Sequence, residues 1–187
     1  MATQIQRRCF VSYHHADQDE VDEFIRTFDH WHSLFSARGL GQEMSSDIVN
    51  STDTDYVMRA IRERYLKGTS VTLVMLGRCT WARRYVDWEI QASLRQGPAS
   101  PPNGLLGVKL PSFNESVHRF PERLDANLLS PARQALGITD CYARHIPYPN
   151  TVDALAAAIE AAFWRRENQA HLVVNSRDRF ANNKACT

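Results

Sequence analysis

Thr69-Ser-Val-Thr-Leu-Val-Met-Leu-Gly77, followed at once by Arg78-Cys-Thr-Trp-Ala-Arg-Arg-Tyr-Val-Asp-Trp-Glu-Ile90, is the stretch on which the reading of this chain turns. Val71, Leu73, Val74, Met75 and Leu76 form a near-continuous apolar run closed by Gly77. A strand that is apolar at successive positions, rather than at alternate ones, is covered on both faces, as in a parallel sheet. The period then changes. A helix from about Arg83 to Gln96 puts Val86, Ile90, Ser93 and Leu94 on one face, at spacings of four, seven and eight from the first. Glu89 falls inside that face. A carboxylate on an inward stripe is costly to desolvate unless something pairs with it or uses it. It also lies one helical turn beyond a central strand, where open α/β sheets build their binding crevices.

Outward from this core the chain alternates. Arg8 to Tyr13 reads as a first strand, followed by the loop His14-His-Ala-Asp17. Asp17 and Glu20 have the spacing of a capping box. Val21, Phe24, Ile25, Phe28, Trp31 or His32, and Phe35 then make a helical stripe that Gly39 and Gly41 stop. Gly39 to Thr54 is polar and aperiodic, with a short strand expected near Leu40, and reads as a long mobile functional loop. A helix is expected from about Asp53 to Leu66 with Val57, Ile61 and Tyr65 inward, ended by Gly68. After the central strand and the Glu89 helix come a loop at Gln96 to Asn103, a strand at Gly104 to Leu110, an ambiguous stretch from Pro111 to Tyr142, and a short strand at Arg144 to Ile146. Thr151 caps a last helix to Trp164, with Val152, Leu155, Ile159, Ala162 and Phe163 on one face. Asn175 to Thr187 reads as a frayed polar tail. Alternating strands and helices imply an α/β fold, a flavodoxin-like three-layer sandwich with a mostly parallel central sheet. The expected organisation is one domain over residues 1–166 and a polar, partly disordered extension over 167–187.

Composition excludes several classes. In 187 residues, 43% are hydrophobic and 23% charged, as in an ordinary globular domain with room for a core. The formal net charge of +1 gives no electrostatic reason to expect nucleic acid or an anionic membrane as a partner. No apolar stretch reaches transmembrane length, and polar Met1 to Arg8 does not resemble an export signal. The expected localisation is cytoplasmic, and the scattered Cys9, Cys79, Cys141 and Cys186 are expected to be reduced thiols.

The strand ends gather the residues that could carry chemistry. Ser12, Tyr13 and His14 follow the first strand, Arg78 to Thr80 follow the central one, and Glu89 lies one turn further on. Arg78, Arg83 and Arg84 can grip phosphates, Tyr13, Trp81, Tyr85 and Trp88 can stack on flat rings, and one carboxylate can bond sugar hydroxyls. A carboxylate beside an anomeric carbon also stabilises an oxocarbenium-like transition state. Ordinary glycosides usually need two carboxylates. A leaving group that is already cationic, such as the nicotinamide of NAD+, relaxes that need. His14 and His15 suggest a metal, but adjacent side chains at a strand end point apart and no Cys or Asp spacing completes a set, so no metal site is expected.

Three stretches carry a family resemblance: Cys9-Phe-Val-Ser-Tyr13, Thr69 to Gly77, and Thr80 to Ile90 with its Arg83-Arg-Tyr-Val-Asp-Trp-Glu-Ile90 core. Together they make the chain, from Arg7 to about Leu110, similar to a TIR (toll/interleukin-1 receptor) domain of the bacterial Thoeris antiphage-defence branch. The resemblance implies cleavage of the nicotinamide–ribose bond of NAD+, with NAD+ as substrate and no separate cofactor. It gives Glu89 the catalytic role. Ser12 and Tyr13 fall where the family lines its pocket, and Arg78, Arg84, Tyr85 and Trp88 join them as candidate substrate-binding residues. The Gly39 to Thr54 loop corresponds to the family's variable loop, which shapes the pocket and mediates self-association. An ADP-ribose-derived product, cyclic or conjugated, would reach a downstream effector as a signal.

Other readings stay open at this level. Glu89 could be a structural carboxylate paired with Arg83 or Arg84. The chain could be a TIR-like interaction module with no catalysis, or a base-exchanging deoxyribosyltransferase on a similar sheet. Nothing after Leu110 matches a motif, so product choice and partner contacts are unassigned.

Overall fold

The computed structural model describes residues 7–30, 44–97 and 101–186. Four strands, β1 (Cys9–Ser12), β2 (Val71–Leu76), β3 (Gly104–Lys109) and β4 (Arg144–Ile146), form one sheet in the order β1-β2-β3-β4. All three pairings are parallel, with Ser12 opposite Val74 and Leu76 opposite Lys109. The helices are α1 (Gln18–Ile25), α2 (Ser46–Val49), α3 (Thr54–Ile61), α4 (Arg84–Leu94), α5 (Glu122–Asp125), α6 (Pro131–Ala135) and α7 (Val152–Asn168). Both α1 and α3 widen into π-helical turns, at Arg26–His30 and Arg62–Leu66.

The period-two geometry of the strands sorts the core into layers. Cys9 and Val11 of β1, Val71, Leu73 and Met75 of β2, and Leu106 and Val108 of β3 face α1 and α7, meeting Val21, Phe24, Leu155 and Ile159. Phe10 faces the other way, into Val57, Met58 and Ile61 of α3 and Trp88 of α4. Val74, Leu76 and Leu105 meet Val86, Ile90 and Leu94 of α4. Every residue of β2 is buried, so its near-continuous apolar run is what burial on two faces demands. This is the α/β flavodoxin-like sandwich of the TIR kind expected from the sequence.

The helix after β1 packs on one face of the sheet and the helix after β2 on the other. The carboxyl ends of β1 and β2, where open α/β sheets place their binding crevices, thus have helices leaving toward opposite faces.

Several local expectations need correction. Asp17 precedes α1, but its side chain makes no cap bond there. It turns instead toward the Thr80 hydroxyl, and Glu20 accepts from the Ser112 amide and hydroxyl, so the capping box does not form. Part of the supposed loop before Thr54 is the short helix α2, which buries Ile48 between α3 and the rest of that core. The expectations on residues 31–43, including the strand near Leu40 and the two glycine stops, lie outside the described residues. Gly68 does end the α3 segment, in the left-handed region at φ +78° that glycine enters freely.

The cysteine reading also changes. Cys9 and Cys141 are buried free thiols, but Cys79 and Cys186 form a disulfide across a Cα separation of 5.6 Å. The tail expected to fray lies along α4. The Phe180 amide donates to Asp87 Oδ2 (2.9 Å) and its carbonyl accepts from Trp88 Nε1 (2.7 Å). The Lys184 amide donates to the Ala82 carbonyl (2.8 Å) and Asn175 Nδ2 to the Gln91 carbonyl (3.0 Å).

Candidate active site

Ser12 is the last residue of β1 and is fully buried, on the same face as Phe10 and so toward α4. Its hydroxyl donates to Glu89 Oε2 at 2.6 Å. Nearly all of α4 is buried: Val86, Ile90 and Leu94 by the sheet, Trp88 and Ala92 by α3 and Phe10, Asp87 by α5 and the tail. Ser93 of α4 bonds Thr72 of β2 at 2.7 Å, which fixes the helix on the strand. In this run of the helix, from Val86 to Leu94, Glu89 alone is half-buried rather than buried.

The electrostatics of Glu89 follow from that position. Desolvation among the surrounding protein atoms pushes its pKa up to about 8, against a smaller downward pull from the Ser12 hydrogen bond. Among the described residues it makes no ion pair. Arg83 donates instead to the Cys79 carbonyl, and Arg84 to the Tyr85 hydroxyl and the Ala181 carbonyl. A carboxylate paired structurally with either arginine is therefore not what the structure contains.

The loops around the crevice are tied together. The Gly77 amide donates to Thr80 Oγ1 (2.9 Å), and that oxygen lies 3.3 Å from Asp17 Oδ2. A Cβ at Gly77 would stand 2.1 Å from the same carboxylate oxygen, so glycine is what lets the loop after β1 close onto the loop after β2. Burial raises the pKa of Asp17. His14 is half-buried, and burial together with Arg83 and His15 lowers its pKa to about 4, so it is neutral near pH 7. No cluster of His, Cys, Asp or Glu suited to a metal ion occurs among the described residues.

The remaining candidates fall in three places. Tyr13 packs on the α1 face, opposite to Ser12, and its hydroxyl donates to Gln18 Oε1 at 2.6 Å. Arg78 is exposed in the loop beside the disulfide. Arg84, Tyr85 and Trp88 form a separate cluster with the tail: the Arg84 guanidinium lies over both rings, and Arg179 covers Trp88 from 4.7 Å. Trp88 is 3% exposed, with its indole N–H bonded to Phe180, so its faces are occupied by protein. Ser12 and Glu89 are thus brought together, and Trp88 belongs to the packing beneath the tail.

Reading the sequence missed the buried ion pair that steadies this helix. Arg123 Nε donates to Asp87 Oδ1 at 3.0 Å, with both side chains almost wholly enclosed. Arg123 also donates to Asn175 Oδ1 and to the Arg177 and Asp178 carbonyls. The available signal was Asp87, a second acid in an otherwise buried helix.

The chain is 28% identical over 111 residues to a Bacillus cereus (strain MSX-D12) protein named "Putative cyclic ADP-D-ribose synthase ThsB1", covering 58% of this chain and 54% of that one. The chain thus spans about half the length of that curated relative. The family described as "Thoeris protein ThsB, TIR-like domain" matches residues 10–115, which takes in β1, β2, α4 and β3 and with them Ser12 and Glu89. Since that match spans more than half of the sequence, this chain belongs to the TIR-like domain family of Thoeris protein ThsB.

Proposed function

We propose that the protein cleaves the bond between nicotinamide and ribose in NAD+ and converts the rest of the molecule into an ADP-ribose-derived signal nucleotide. The observation that carries this reading is the Glu89 carboxyl group, held by Ser12 at the carboxyl end of β1 and left without a cationic partner of its own among the described residues. Such a group accommodates a substrate that brings the positive charge. When the C1′–N1 bond breaks, its electron pair stays on the pyridine nitrogen, which discharges the pyridinium and leaves a ribosyl cation facing Glu89. Capture by an adenine nitrogen of the same molecule gives a cyclic product, and capture by water gives ADP-ribose; either step releases one proton. The printed name of the Bacillus cereus relative supports the cyclising outcome.

The raised pKa fits this chemistry. Near neutral pH the free protein holds Glu89 mostly protonated, since its pKa is about 8. An arriving pyridinium favours the anion, so binding draws the pKa down and releases a proton as the charge pair forms. The product then acts as a diffusible signal to a separate effector in antiphage defence, and self-association of the chain would regulate the site. Mass-resolved chromatography of NAD+ incubated with wild type and Glu89→Gln, at low and high protein concentration, tests the reading. Release of nicotinamide by the wild type alone supports it, and the mass of the second product separates cyclisation, hydrolysis and conjugation. Equal release by Glu89→Gln removes Glu89 from the chemistry.

A further inference from the structure

The helix that presents Glu89 starts without a cap of its own. Arg83, at the N-cap position of α4, makes no side-chain bond to the first turn. The leading amides of a helix need an acceptor from elsewhere. Here it comes from the far end of the chain: Asn183 Oδ1 accepts from the Arg84 amide at 2.9 Å, across 99 residues of sequence. The opposite end of α4 is served in a comparable way, by Arg62 Nη1 donating to the Ala92 carbonyl at 2.8 Å. Asn183 is not the N-cap residue of α4, but its short side-chain carbonyl gives the Arg84 amide the kind of acceptor that a capping side chain provides. Asn183 itself is exposed, so little packing holds it there. What holds it is the chain on either side. The Lys184 amide bonds the Ala82 carbonyl, and two residues further on Cys186 is joined to Cys79, in the loop that leads from β2 into α4.

We propose that Asn183 is a positioning residue for Glu89, capping α4 from the C-terminal strap, and that the Cys79–Cys186 disulfide is a thiol switch that keeps the cap in place. Reduction uses a dithiol. Two electrons and two protons pass to the protein, the Cys79–Cys186 bond becomes two thiols, and the reductant closes to its own disulfide; a disulfide of the same class reverses the step. With the tether cut, the cap is lost, the first turn of α4 frays, and Glu89, five residues after Arg84, is held less firmly against Ser12. The site is fully assembled in the oxidised form.

The kinetic half of this inference rests on the NAD+ reading; the positional half does not. The test uses the full chain as wild type with and without a small dithiol, Asn183→Ala, Asn183→Asp and Cys186→Ser, with Glu89→Gln as control. One readout is the titration midpoint of the Glu89 carboxyl carbon by NMR. The other is kcat and KM for nicotinamide release. Asn183→Ala, Cys186→Ser and the reduced wild type should all move the midpoint down toward the ordinary carboxylate range, because water reaching the carboxyl outweighs the weakened Ser12 bond. Assayed above about pH 9, where Glu89 is ionised in every variant, they should lower kcat about fivefold, the kinetic equivalent of losing a typical cap, with KM little changed. Asn183→Asp, an equally good cap, should restore both. An unmoved midpoint in Asn183→Ala overturns the proposal whatever the activity shows. An unmoved midpoint in Cys186→Ser and the reduced protein, with Asn183→Ala affected, overturns the switch. Equal nicotinamide release by Glu89→Gln refutes only the NAD+ reading, and the titration then decides this inference by itself.

Discussion

Replacing Glu89 by glutamine should make the protein more stable, and the gain should depend on pH in a defined way. The folded protein raises the pKa of Glu89 from an ordinary 4.5 to about 8, chiefly by desolvation. The sign follows from proton counting. Below about pH 4.5 the carboxyl is protonated in both folded and unfolded chains and costs nothing. Between about 4.5 and 8 the unfolded chain has lost the proton while the folded one retains it, so wild-type stability falls as pH rises. Above about 8 both states are ionised and the penalty is constant. Each pH unit in the window corresponds to about 1.4 kcal/mol. The full window gives a ceiling of about 5 kcal/mol, and since Glu89 keeps some contact with solvent, about 2–5 kcal/mol is expected at pH 8. Glutamine keeps an oxygen that accepts from Ser12 and never ionises. Urea unfolding of wild type and Glu89→Gln between pH 4 and pH 9 measures the difference directly. The two should coincide near pH 4, diverge through neutrality and run parallel above about pH 8. A difference that stays flat with pH would refute the claim that burial holds Glu89 protonated.

Ser12→Ala removes the one hydrogen bond that favours the Glu89 anion among the described residues; such bonds to charged groups contribute about 1.5–3 kcal/mol, so the Glu89 midpoint should rise by about one to two units. In wild type, kcat/KM for nicotinamide release should climb as pH rises through about 8, and in Ser12→Ala this limb should move upward with the midpoint; an unmoved limb counts against Ser12 acting on Glu89. Arg123→Ala strands Asp87 in the interior and should cost about 3–5 kcal/mol, read as a drop in Tm of about 6–20 °C. The double change Asp87→Leu with Arg123→Met should recover only part of that loss, because the Phe180 amide and the strap carbonyls lose their partners with the pair, and a single variant melting within a degree or two of wild type would show that the pair is not coupled to folding. Gly77→Ala drives a methyl into the Asp17 carboxylate and should cost about 1–3 kcal/mol in urea unfolding, relieved when Asp17→Ala is added; equal losses with and without the second change would argue against that clash.

What could be read directly from the sequence was governed by neighbours along the chain. The Val71–Leu76 run announces a strand covered on two faces because burial of every residue in β2 admits a polar one only where it finds a partner, as Thr72 does in Ser93. The phase of α4 follows from Val86, Ile90 and Leu94, and with it the inward placement of Glu89. Ser12 is legible in the same terms, a polar residue at the buried end of β1 that must find a partner on the helix above it. Thr151 was recognisable as a cap because its acceptor serves Ala154, three residues away. Asp17 and Glu20 had a comparable spacing and failed, since Thr80 and Ser112 compete for the same oxygens from other parts of the fold.

The C-terminal strap marks where local reading stops. Its composition is polar, and polar segments at a terminus usually fray because they bury too little apolar surface to offset the entropy of ordering. This one buries a single large apolar side chain, Phe180, at 7% exposure. The rest of its order is contributed by α4 and α5: the Asp87 carboxylate receives the Phe180 amide, Arg123 binds the Arg177 and Asp178 carbonyls, and the Trp88 indole donates to Phe180. Without the strap the Trp88 indole would lose its acceptor and the Asp87–Arg123 pair would keep only its mutual bonds; each buried polar atom left unpaired costs about 1–3 kcal/mol. The dependence therefore runs in both directions. The helix that carries Glu89 needs the strap to complete its polar bonding, and the strap needs that helix to be ordered at all. Neither half of this mutual dependence leaves a periodic trace, and the pairing of Cys79 with Cys186, 107 residues apart, has no local signature. The sign that remained visible was Asp87, an acid two residues before Glu89 on a buried helix: one of the two faces the site, and the other had to be answered by a cation and an amide from elsewhere in the chain.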